Sequence, residues 1–392
     1  MQTQDPVPPQ APQHPRQEPA GITVGDASGV GLTAVCRQVQ ARLAAAGLGR
    51  AVETVTSPGR TSARFRLRLS FARDWTPGFD TTRLCTTLAL DTVARDDDLE
   101  REILVALLAS PIDLAYPSPE ELESAVRIRR NIVKAARRTT LAFDTVEAER
   151  PEDCWTYDPV RGFTVLPGVV LADALRRATQ PDASGRLYSF SCYRATEYVI
   201  LLGIAEELAL CNPGLLLQLQ RRLERRAIMS GEFHEVFLRE YGSMDDPLPP
   251  RYYVPGDRTW FRNPDGRSSD IKGYEGSWVI YHGEGRFTNF WKRGLAYTLE
   301  DKCLEIHHWA DGATVGTAGT LTMDEAKVER LVAQTARDPA RVSAILSKML
   351  RYREPRGIYV DGGCIDTTRE SPRWVCPGTA DLRLPDEPDA PA

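Results

Sequence analysis

The sequence predicts an α+β protein. Three observations carry this: helical periodicities dominate residues 99–210, short alternating strand patterns take over after 252, and the first hundred residues mix both. With 392 residues, 42% of them apolar, the chain has room for two or three domains with buried cores.

Residues 1–20 are rich in Pro and Gln, and 381–392 read similarly, so both are expected to be disordered tails with too little apolar surface to offset the entropy of ordering. Residues 21–98 read as a small α+β domain. Leu32, Val35, Val39 and Leu43 share one helix face, and the alternation from Phe65 to Phe71 is that of a half-buried strand. The arginines at 64, 66 and 68 then line a solvated sheet face, with no interleaved aromatic platform for nucleic acid. The run Gly25 to Gly31 lacks the Lys-Ser/Thr ending of a phosphate loop and reads as a turn.

A charged stretch, Arg95 to Asp98, marks a domain boundary, followed by a helix over 99–109. Ser118-Pro119-Glu120-Glu121 is a capping box that predicts a helix over 119–138. Its Leu122, Val126, Ile132 and Val133 form the buried stripe, and its many basic residues a solvated face. A further helix is expected at 171–179, and a strongly apolar one from Cys192 to about 210. Strands are expected at Trp278–Tyr281, Phe287–Trp291 and Leu304–Trp309.

Composition narrows the function classes. Net charge is −5, with 49 Lys+Arg against 54 Asp+Glu, so the overall field favours neither nucleic acid nor an anionic membrane as partner. The eight cysteines form no C-x-x-C pair, which argues against a zinc ribbon and for reduced thiols. The N-terminus lacks a secretory apolar region, and no apolar run reaches the roughly 18 residues of a membrane span. A soluble, cytoplasmic protein is the expectation.

Cys192 holds the chemistry. At the start of a buried helix, backbone amides and the macrodipole favour the nucleophilic thiolate. Papain-like hydrolases and acyltransferases use this arrangement, with a base on a neighbouring strand facing the thiol. On helix position alone, an inert buried cysteine stands beside that reading.

Five segments in order bring a resemblance. Arg127 to Ala136 resembles a helix containing R-x-N-I-V-x-A-A, and Leu166-Pro167-Gly168-Val169 through Ala174 is similar to a proline-then-A-I segment. Arg186 to Cys192 looks like Y-A-F-E-C, Pro255 to Pro264 like G-D-x-x-Y-F-K-N-P, and Tyr274 to Ile280 like W-x-G-E-N-V-I. Together they resemble the small bacterial, spore-coat type of protein-glutamine gamma-glutamyltransferase. The resemblance implies a papain-like or NlpC/P60-like thiol acyltransferase core, its nucleophile Cys192 at a helix N-terminus packed on a small antiparallel sheet. It further implies a transglutaminase-like catalytic domain over 99–320, leaving 321–380 as a C-terminal helical extension.

The sequence departs from the family where the acids should be. The family has glutamates before the cysteine and in the G-E-N strand, and here they are Ser191 and Ser277, read as substrate-binding positions. Glu275 lies two residues before Ser277, on the same strand face, and is the simplest substitute carboxylate. Arg293 takes the place of the family's histidine, where it could lower the thiol pKa but not shuttle protons. His307 and His308 lie on an expected strand, so one must face inward, within reach of a Cys/His dyad. His282 reads as a turn residue. Trp260, Trp278 and Trp291 are candidates for a substrate tunnel, with core packing the alternative.

The expected reaction is attack of Cys192 on a glutamine carboxamide, with the acyl group passed to an amine to form an isopeptide cross-link. Partners are thus a protein or peptide glutamine donor and an amine acceptor, with no nucleic acid, membrane, cofactor or metal. Two alternatives stand beside it. One is a cysteine deamidase, peptidase or small-molecule amide-forming enzyme, and the other a catalytically impaired relative acting as a binding module.

Overall fold

The computed structural model describes residues 18–57, 59–143, 148–316, 319–353 and 362–385. Most of the two expected tails lies outside these residues. The segment 381–385, expected within the C-terminal tail, is tied down: Leu382 is buried, and the Asp381 carboxylate accepts from Arg239, Arg373 and the Trp374 amide.

The first layer is a four-stranded sheet in the order Val52–Thr56, Ser62–Leu67, Ile22–Gly25, Leu114–Tyr116, with only the last pairing parallel. Leu32–Ala45 and Asp96–Leu108 cover it, and Ile22, Val24, Val35, Leu43, Phe65 and Leu104 are buried between them. The boundary expected at 98 therefore falls inside this core. Its charged stretch is a helix start, where Asp96, Asp97 and Asp98 sit in the first turn facing the positive end of the macrodipole. The expected strand 65–71 stops at Leu67, because Leu69–Trp75 turns helical.

The second layer packs Pro119–Arg138 against Cys192–Cys211, with Leu171–Thr179 alongside. The Ser118 hydroxyl accepts from the Glu121 amide, as its capping pattern predicts. A Cβ at Gly203 would come 2.5 Å from Ile132, so glycine is what lets the two long helices approach. The basic face of Pro119–Arg138 is largely paired while Lys134 and Arg138 on it stay exposed. Arg127 grips Glu207, Arg130 meets Glu100, Lys134 meets Asp96, and Arg137 donates to Thr92 and the His282 carbonyl.

The third layer is an antiparallel sheet in the order Gly276–Ile280, Arg258–Arg262, Arg369–Pro372, Leu238–Tyr241. One face packs on Leu299–Gly312, Glu325–Thr335 and Pro339–Met349, burying Phe261, Val279, Cys303, Ile306 and Val328. Residues 321–380 are thus not an appended helical extension, because Arg369–Pro372 lies inside this sheet. Leu304–Trp309, expected as a strand, belongs to the helix Leu299–Gly312. Its alternation of apolar and polar residues imitates a strand, but the reciprocal cap between Thr298 and Asp301 starts a helix whose Leu299, Cys303, Ile306 and Trp309 share a face. Of Phe287–Trp291, only Phe287 is strand, as the second residue of Arg286–Phe287. No helix among the described residues is long and apolar enough to cross a membrane.

Candidate active site

Ser189–Phe190 pairs with Ala142–Phe143 and delivers the chain to Ser191, whose extended backbone (φ −80°, ψ 158°) ends the strand. The Ser191 hydroxyl accepts from the Arg194 amide at 3.3 Å, so it caps the helix instead of facing a substrate. Cys192 is the first helical residue. The backbone amides of Trp278 and Tyr193 lie near enough to its sulfur to favour the thiolate. Cys192, the candidate nucleophile, therefore sits at a helix start packed on a small antiparallel sheet.

Cys192 and Ser277 open onto a cavity of about 420 Å³. Phe143, Tyr274 and Trp291 form an aromatic wall, and the helix Leu299–Gly312 supplies Lys302 and Glu305. Trp291 packs edge-on to Phe143 with centroids 5.0 Å apart. Trp260 and Trp278 are not among the lining residues. They stack on the other sheet face, 5.8 Å apart, with the buried Arg258 guanidinium 4.2 Å from the Trp278 ring centroid. Gly276 is required there, since a Cβ would come 2.2 Å from Trp260 Nε1.

The proposed partners of the thiol are placed apart from it, with one exception. His308 is buried between helices, where Nδ1 meets Asp311 at 3.0 Å and Nε2 meets Thr335 at 2.8 Å. Neither His307 nor His308 lines the cavity, because both sit on a helix and not on an inward-facing strand. Arg293 is exposed and forms a surface pair with Asp182 at 2.8 Å. Glu275 precedes the strand, is exposed, and turns back to accept the Gly273 amide at 2.9 Å. It lies near enough for its charge to oppose ionisation of Cys192. His282 is a hairpin-turn residue, buried and held neutral, its pKa pushed down to about 3 by burial and by Arg137.

Lys302 is the cation that the sequence reading missed. Its side chain is 4% exposed, and Nζ lies 2.6 Å from Glu305 Oε2 and 3.7 Å from the Tyr297 ring centroid. Burial works to lower its pKa, but Glu305, Tyr297 and Cys192 outweigh it and the net shift is upward. Burial also dominates at Cys192, holding the thiol above its ordinary value against the two amides and the Lys302 charge. The lysine-glutamate pair at i,i+3 was visible in sequence only to a helical reading of 299–312.

A possible metal-ligand group lies elsewhere. Ligand atoms of His234, Glu240 and Glu370 fall within 4.8 Å of one another, but Arg258 already sits 3.2 Å from Glu370.

The residues that repeat the family motifs also hold this geometry. Arg129 and Asp257 form a buried pair at 2.7 Å that ties the helix Pro119–Arg138 to the turn before Arg258–Arg262. Asn263 donates to Ser268 and to the Tyr274 carbonyl, setting the approach to Gly276. A family model described as protein-glutamine gamma-glutamyltransferase matches residues 82–376, well over half the chain, and the chain belongs to that family. A solved transglutaminase from Geobacillus stearothermophilus, without its C-terminal extension, is similar at 17% identity and a TM-score of 0.37, over 55% of this chain and 98% of that one. No curated protein matches the chain.

Proposed function

We propose that this protein is a protein-glutamine acyl transferase in which Cys192 attacks a glutamine carboxamide, releases ammonia and passes the acyl group to an amine. The observation that carries the reading is the placement of Cys192, a helix-start thiol close to two backbone amides and opening on an aromatic cavity. The two methylenes of a glutamine side chain suit such a wall, and its polar carboxamide would end at the sulfur. Ser277 stands on the strand where the family has a carboxylate, so this chain must find its acid elsewhere.

The test is incorporation of a labelled amine into a glutamine-bearing protein by wild type and Cys192→Ala. Incorporation by wild type alone supports the reading, and equal signal from both removes it. Product mass separates transfer from hydrolysis: cross-linking loses about 17 mass units and deamidation gains about one, by the stoichiometry of the thioester route.

A further inference from the structure

With serine at both family-glutamate positions, Lys302 is the buried cation that, among the described residues, lines the cavity together with the thiol. An ammonium has three donors, and the hydrogen-bond partner that the described residues give Lys302 is Glu305. The Tyr297 ring covers another side of Nζ. Tyr297 also donates to Glu305 at 3.4 Å, so the carboxylate is held from two directions. Lys302 and Cys192 line the same cavity and feel each other's charge, each favouring the other's ionised form.

We propose that Lys302 is the proton-transfer group of this acyl transfer, with Glu305 as its positioning residue. This rests on Cys192 being the acyl-accepting nucleophile. In the reactive form Cys192 has lost its proton to solvent and faces the Lys302 ammonium. Sulfur attacks the carboxamide carbon, a C–S bond forms, and the carbonyl electron pair moves to oxygen. As the oxyanion collapses the C–N bond breaks, and the leaving nitrogen takes a proton from Lys302, giving ammonia, a thioester and a neutral lysine. The acceptor amine then attacks the thioester carbon and gives a proton to Lys302 as the C–S bond breaks. Thiolate and ammonium are restored, and the net change is carboxamide plus amine to secondary amide plus ammonia.

A lysine suits this cycle because it must be charged in the first half and neutral in the second. Arginine would keep the charge but cannot give up its proton. The other charged or titratable groups around the pair are Tyr274, Tyr297, Glu275, Glu325, Asp301, which accepts the Thr298 amide, and the surface pair Lys292 with Glu329. Glu325 is engaged by the Tyr274 hydroxyl and Glu275 by the Gly273 amide, which leaves Lys302 as the cation coupled to the sulfur.

The full chain is tested as wild type, Lys302→Arg, Lys302→Met and Glu305→Gln, with two readouts. The first is the pH midpoint of Cys192 alkylation by iodoacetamide, which needs no acyl donor. Lys302→Met is expected to raise that midpoint by about one pH unit or more, and Lys302→Arg to leave it near wild type. The second is labelled-amine incorporation, where Lys302→Arg should lose about 100-fold or more in kcat. Glu305→Gln should lower kcat less, with KM unchanged. Wild-type turnover by Lys302→Arg, or an unchanged midpoint in a folded Lys302→Met, overturns the proposal. If Lys302→Met does not fold, the charge-preserving Lys302→Arg decides by turnover. Should wild type transfer no amine at all, the acyl-transfer reading fails by that assay, while the alkylation midpoints still judge the lysine.

Discussion

Cys192 and Cys85 occupy the first turns of their helices, Cys192–Cys211 and Leu84–Leu88, and both are shielded from water close to a carboxylate, yet their surroundings differ in kind. Cys192 opens on the cavity, lies close to two backbone amides and shares the cavity with Lys302. Cys85 is enclosed in the core against Glu102, which is fully buried, and burial together with that carboxylate drives its thiol far above the ordinary range. The difference teaches that a helix start alone does not make a nucleophile. A short helix gives little field, and a neighbouring carboxylate favours the protonated sulfur unless a cation and an opening offset it.

The largest expected effect is on turnover. Cys192→Ala should lower amine incorporation by at least about 10³-fold, as loss of a covalent nucleophile does. Cys85→Ala should stay within about threefold of wild type; comparable losses in two folded variants would erase the contrast. Next comes reactivity without substrate. Iodoacetamide at pH 8 should modify Cys192 about tenfold faster than Cys85, as resolved by peptide mass spectrometry. Equal rates in the folded state would mean that access and charge do not separate the two sites.

A smaller effect concerns stability and sharpens the description of the enclosed site. Burial raises the Glu102 carboxyl to about 7 from its usual 4.5, even though Oε1 accepts the Glu284 amide at 3.0 Å. Between those values the folded protein holds a proton that the unfolded chain has released. The stabilising share of Glu102 is therefore complete below pH 4.5 and lost as pH rises through about 7. Relative to wild type, Glu102→Gln should gain stability over that window, up to about 1.4 kcal/mol per pH unit crossed. Melting curves at pH 5 and pH 8 check it, and parallel pH dependences would show that Glu102 ionises normally.

Much of the fold was legible where one periodicity dominated. The helix Pro119–Arg138 followed from its cap and stripe, Leu171–Thr179 from its apolar face, and the helix after Cys192 from its uninterrupted apolar run. In the candidate site, the helix start at Cys192 was legible, and the elements around it were not. The segment 304–309 satisfies a strand pattern locally, and only the cap at Thr298 with the apolar spacing through Trp309 decides for helix. That one misreading placed His307 and His308 toward the sulfur and hid Lys302. Glu275 and Arg293 are exposed side chains that settle on other partners: Glu275 on the Gly273 amide two residues back, and Arg293 on Asp182, a pairing across 111 residues that no local pattern announces. The pairing of Arg129 with Asp257 spans 128 residues, and no local pattern announces it.

The strand Arg369–Pro372 has a consequence for how the molecule comes to be. Arg258–Arg262 meets it on one side and Leu238–Tyr241 on the other, so the sheet beside Cys192 is not closed until residues near 372 are available. During synthesis, a chain that has emerged only to about 320 would present Arg258–Arg262 and Leu238–Tyr241 as open edges, with Arg258 lacking Glu370. Pairings this distant form late and slowly. The thiol at Cys192 is made long before its supporting sheet is complete, so a reactive site is assembled only as the ribosome finishes this region.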